Sequence, residues 1–173
     1  MDRTRLNTLL LQVREGDEQS FATLYEETYK GVFSFIYSYV QNYHTAEDLS
    51  QDTFIKVKTN ADKYRTNDNA AAWILQIAKN TALDYIRKRN RDNSCELNEN
   101  LSDARGEGTG EMYMHDLLNR SVSGDERQIL LLHLLYGYKN REIAEIMGLP
   151  LGTVLWKYNR AIKTLKTKLK EET

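Results

Sequence analysis

The sequence predicts an all-α protein. Apolar residues recur at helical spacing through most of the chain, and a single Pro accompanies only nine Gly, too few turn formers for a β protein. At 173 residues the chain is long enough for one large domain or two small ones with modest cores.

Taken in order, Leu6, Leu9, Leu10 and Val13 form the stripe of a short first helix, which "GDEQ" interrupts. Phe21, Leu24, Tyr25, Val32, Ile36, Tyr39 and Val40 then keep helical spacing and predict a long second helix. Thr45 with Asp48 has the form of a capping box, so a third helix should open near Ala46 and bury Leu49, Thr53, Phe54 and Val57. The polar "YRTNDNA" reads as a loop, followed by a fourth helix over about Ala71 to Arg89 that is apolar early and basic late. From Arg91 to Gly110 periodicity gives way to Asn, Ser, Gly and acids, the composition of a flexible acidic linker. The expected division is therefore a helical bundle over 1–91, a linker over 92–112 and a second helical domain over 113–173. In that domain Ser123 with Glu126 predicts a capped helix carrying Ile129, Leu132 and Tyr136. Asn140 is expected to cap the next helix, Gly148 to end it, and Pro150 to force a new start around Leu151 to Thr153.

Charge is segregated although the net is only −1. Lys79, Arg87, Lys88, Arg89 and Arg91 stand against Asp84 alone, and Lys157, Arg160, Lys163, Lys166, Lys168 and Lys170 against no acid; the stretch between the two clusters is strongly acidic. Two basic helical surfaces point to a polyanionic partner. Other classes drop out. Cys95 is the single cysteine and no histidine stands at ligand spacing from it, so neither a disulfide, a metal nor another cofactor is expected. The apolar runs are too short for a bilayer and Met1 to Arg5 lacks a secretory pattern, which predicts a cytoplasmic protein without membrane insertion. No nucleophile with a base, catalytic carboxylate pair or phosphate-binding loop is recognisable, so no enzyme is expected; Asp48 and Asp52 lack a third metal ligand.

"REIAEIMGLPLGTVLWKYNRAIK" has the pattern helix, glycine-containing turn, helix. A buried helical hairpin shows the same spacing, so the faces decide. At about 100° per residue, Val154, Tyr158, Ala161, Ile162, Leu165 and Leu169 share one side of the last helix, with Trp156, Arg160, Lys163, Thr167 and Lys170 opposite. A hairpin buried on both faces has no use for a row of cations, whereas a helix in a DNA groove needs them at phosphates.

With these blocks the chain resembles an extracytoplasmic-function (ECF) sigma factor of bacterial RNA polymerase, with sigma regions 2 and 4. The resemblance runs in order through "GDEQSFATLYEETY", "AEDLSQDTFIKV", "AAWILQIAKNTALDYIRKR" and "REIAEIMGLPLGTV" with Arg160 and Ala161. It implies a promoter-specificity subunit, with promoter DNA and core polymerase, through its β′ clamp helices and β flap, as partners; an anti-sigma factor is left open. By the family pattern, Glu47, Asp48, Leu49, Gln51, Asp52 and Phe54 dock on the clamp helices. Tyr64, Arg65 and Asn80 hold an extruded base of the melting −10 element, with Tyr64 as stacking platform, and Arg87, Lys88 and Arg89 take phosphates. Trp73 reads as core. Leu151, Gly152, Thr153, Trp156, Lys157, Arg160 and Lys163 are implied at the −35 element. Here the chain departs from the family, which commonly has a basic residue, serine and arginine where this sequence has Leu155, Trp156 and Lys157, leaving fewer donors for base edges. Trp156 is read as touching a thymine methyl or sugar, or as packing on protein. The alternative, a polymerase-independent helix-turn-helix regulator, leaves the first half unexplained.

Overall fold

A computed structural model describes residues 3–66, 69–92, 117–122 and 124–171. Among them every regular element is helical. The chain divides into two compact units, Met1–Asp103 and Ala104–Thr173. The expected acidic linker lies outside the described residues except for Asp92, which closes a helix.

The first unit is built from α1 (Arg3–Arg14), α2 (Glu18–Val40), α3 (Tyr43–Thr59), a 3-10 turn over Ala61–Lys63 and α4 (Ala70–Asp92). Its core gathers Leu6, Leu10, Leu24, Phe35, Ile36 and Ile74, the positions at which the stripes of α1, α2 and α4 converge. Asp17 opens α2 by accepting from Gln19 N–H, and the Ser20 hydroxyl, donating to the same carboxyl group, holds Asp17 below the usual carboxylate range. Gln41, in the left-handed region at φ 52°, ends α2 and turns the chain directly into α3. That helix begins earlier than the Thr45 box predicts: Asn42 is its cap, accepting from Thr45 N–H at 2.9 Å. Buried Thr28, Ser38, Ser50 and Thr53 donate to carbonyls of their own helices, so polar atoms inside the bundle are satisfied locally.

Asn7 in α1 ties the distant loop down. Its Oδ1 accepts from the Tyr64 hydroxyl at 3.0 Å and from Ala70 N–H at 2.9 Å. The Tyr64 ring meets Trp73 edge-on at 5.5 Å between centroids. Tyr64→Phe removes only the hydroxyl from this knot; thermal unfolding is expected to show a loss of about 1 kcal/mol from the first unit.

In the second unit, residues 117–121 are helical and are followed by α5 (Asp125–Leu134), α6 (Asn140–Met147) and α7 (Leu151–Glu171). Two caps differ from expectation. Gly124 rather than Ser123, which lies outside the described residues, precedes α5, and its φ of 57° is accessible because it has no Cβ. Asn140 is the first residue of α6 rather than its cap; instead the Glu142 carboxylate reaches back to accept from Lys139 N–H at 2.8 Å.

Candidate nucleic-acid and polymerase interfaces

The turn between α6 and α7 follows from its residues. Gly148 at φ 64° ends α6 in the left-handed conformation, and Leu149 N–H donates back to the Ala144 carbonyl at 3.0 Å. Pro150 has no N–H to lose, and its carbonyl accepts from Thr153 and Val154 N–H to start α7. Ile143, Ile146 and Met147 of α6 join Ile129, Leu130 and Leu132 of α5 and Val154, Ala161 and Leu165 of α7 in one apolar core. Leu169, expected inward, is exposed near the end of α7.

The other side of α7 carries exposed Gly152, Leu155, Trp156, Asn159, Arg160 and Lys163, with Leu151 exposed at its edge and Thr153 half-buried. Lys157 does not belong to this row. Its Nζ donates to Asp125 Oδ2 at 2.6 Å on the flank facing α5, so its assignment to the DNA surface is corrected: it stands on a different side of the helix from the exposed row. Arg160 Nε lies 3.3 Å from Glu126 Oε1, and its guanidinium sits 5.3 Å from the Trp156 ring centre. The sequence reading overlooked Asp125 and Glu126 as counter-charges, because only the fold brings the start of α5 beside α7.

In the first unit Asn80, Arg87, Lys88 and Arg89 are exposed along α4, and Arg65 is exposed after the 3-10 turn. Arg87 Nη1 lies 3.1 Å from Asp84 Oδ1 one turn away. Tyr64 is the correction here. At 1% exposure its ring is enclosed by its own unit and offers no face to a base.

On α3, Asp48, Gln51 and Asp52 are exposed while Glu47 is half-buried. Glu47 lies against an aromatic row: burial, then the neighbouring Tyr25, then the Glu47 carboxylate push the Tyr29 hydroxyl above its ordinary value. Leu49 and Phe54 face the opposite way and are also corrected. Both are buried, and Phe54 packs at 4.7 Å on the Tyr25 ring and 6.4 Å from Tyr29, so neither side chain is available to a partner. The apolar residue that does project beside the carboxylates is Ile55, 60% exposed. Positions 48, 51, 52 and 55 form one helical row, a spacing legible in the sequence had Ile55 been weighed with them.

Among the described residues no group of three or more His, Cys, Asp and Glu gathers as metal ligands, and no helix is long and apolar enough to cross a membrane.

Comparison with known proteins accounts for both units. Residues 24–92 match the family described as Sigma-70 region 2, and residues 116–165 match Sigma-70, region 4. The ECF RNA polymerase sigma factor SigW of Bacillus subtilis is 26% identical over 183 aligned positions, covering 92% of this chain and 94% of its own. The sigma factor RpoE, solved with the anti-sigma factor NepR from Bartonella quintana, superimposes with a TM-score of 0.74 at 25% identity, covering 88% of this chain and 98% of that one. CnrH, solved with the cytosolic domain of CnrY, shares the fold with a TM-score of 0.75 at 19% identity over 98% of this chain and 99% of its own. With region 2 accounting for the half that a free-standing regulator leaves unexplained, the chain belongs to the ECF sigma factors, the transcription initiation factors that bring bacterial RNA polymerase to promoters.

Proposed function

We propose that this sigma factor divides its work among three surfaces. The row Asp48, Gln51, Asp52 and Ile55, flanked by Glu47, docks on the β′ clamp helices of core polymerase. Carboxylates steer toward a basic partner, and Ile55 supplies the apolar centre that holds it. Asn80, with donors and an acceptor for a base edge, binds the non-template strand of the −10 element as it opens, while Arg65, Arg87, Lys88 and Arg89 take phosphates. The second unit meets the β flap and lays α7 in the major groove at the −35 element, with Lys163 and Arg160 at its phosphates. Tyr64 serves this arrangement from within: its hydroxyl donates to Asn7 of α1, whose Oδ1 also accepts from Ala70 N–H at the start of α4.

The observation that carries the reading is that each matched sigma region presents an exposed basic helical surface, at the end of α4 and on the free side of α7. The protein acts in the cytoplasm, where its polymerase is. An anti-sigma protein is a fitting regulatory partner, as RpoE was solved with one.

Run-off transcription with core polymerase on a genomic promoter library tests the whole reading. Asn80→Ala is expected to reduce open-complex formation by about 5- to 150-fold, as followed by permanganate reactivity of unpaired thymines, with core binding unchanged; a bidentate base contact is worth about 1–3 kcal/mol. Undiminished opening would remove Asn80 from the melting surface.

A further inference from the structure

The free side of α7 carries apolar residues that its own unit does not use. Val154, Ala161 and Leu165 already fill the core side, yet Leu151 and Leu155, one turn apart, are 37% and 40% exposed. Asn159, one turn beyond Leu155, is exposed as well. Leu155, Asn159, Gly152 and Lys163 fall within an arc of roughly 80° on the helix. Gly152 is not demanded by the fold: its backbone is not left-handed, and a Cβ added there would meet nothing within 4 Å. No described residue of the unit packs on this position, so the glycine leaves a bare surface beside the first turn of α7.

The two cations nearest the first turns lie outside this arc. Lys157 is paired with Asp125 on the side facing α5, and Arg160, beside Glu126 and the Trp156 ring, flanks the arc at a position suited to a phosphate. What remains at its centre is aliphatic carbon, one primary amide and a smooth patch. In the major groove thymine alone presents a methyl group, and adenine presents the N6 donor and N7 acceptor that an Asn side chain matches.

We propose that this helix selects A·T pairs within the −35 element: Leu155, with Leu151 beside it, packs on thymine methyl groups, Asn159 pairs with N6 and N7 of an adjacent adenine, and Gly152 lets the base edges approach. The inference rests on the reading of α7 as the −35 helix and adds which bases it prefers and why. A G·C pair offers neither a methyl group nor the adenine pattern, so at these positions it leaves Leu155 against polar edges and Asn159 unmatched.

The test uses core polymerase reconstituted with the full chain, on promoters selected from a library randomised over the −35 hexamer. Each thymine of the selected element is then replaced by uracil, which lacks only the methyl group. At one or more positions uracil should lower open-complex formation about fourfold, the value of one buried methyl-sized group. Leu155→Ala, at an exposed position that the fold tolerates, should show a similar loss on thymine and no further loss on uracil. Asn159→Ala should relax the preference for adenine at one position by about tenfold. Insensitivity to uracil at every position, or an equal uracil effect in Leu155→Ala and the parent chain, overturns the methyl contact. Selection at −35 that ignores the methyl sinks this inference alone; a holoenzyme with no −35 selection at all sinks the assignment of α7 as well.

Discussion

Replacing Ile55 by Asp is expected to weaken binding of this chain to core polymerase by about a hundredfold, which is the scale of losing one apolar anchor of an interface. The side chain is 60% exposed, so the first unit should keep its stability to within about 0.5 kcal/mol. A further carboxylate beside Asp48, Gln51 and Asp52 preserves the sign of charge that steers a basic partner, so the loss would report the missing apolar contact and the cost of burying a charge in its place rather than altered steering. Fluorescence anisotropy of labelled chain with core enzyme, alongside thermal unfolding, checks both halves. Wild-type affinity in Ile55→Asp would mean that the docking row lies elsewhere.

Its neighbour should behave in the opposite way. Phe54→Ala is expected to destabilise the first unit by about 3–5 kcal/mol, because a ring at 2% exposure leaves a cavity that Tyr25 and Tyr29 cannot fill. Denaturant unfolding measures this, and core binding should fall only in proportion to the unfolded fraction. The two substitutions sit one residue and about 100° apart on α3, so the pair separates a contact made inside the unit from one offered to a partner. Were Phe54→Ala to keep its stability and lose polymerase binding, the division between core and surface on this helix would be wrong.

Much of the helical order was legible because periodicity and punctuation are local properties. The stripes of α1 and α2, the Gly148 stop and the Pro150 start were each readable within a few residues. Caps were less secure. Asn42 competed with Thr45, and Glu142 rather than Asn140 satisfied the first turn of α6, since several polar residues lay within reach of the same N–H groups. The candidate site was legible as a set of segments and less so as side chains. Leu49 and Phe54 belong to the segment assigned to polymerase, but they turn inward, while Ile55 of the same segment projects outward.

By itself the sequence determined an all-helical chain, the order of its elements, the helix-turn-helix and the two basic surfaces, because those depend on spacing along one strand of backbone. Only tertiary structure decided which members of each segment remain available. Tyr64 is withdrawn by Asn7, 57 residues away, and Lys157 by Asp125, 32 residues away. A side chain's freedom depends on what the fold brings against it, and residues that distant become neighbours only when apolar stripes on separate helices bury each other.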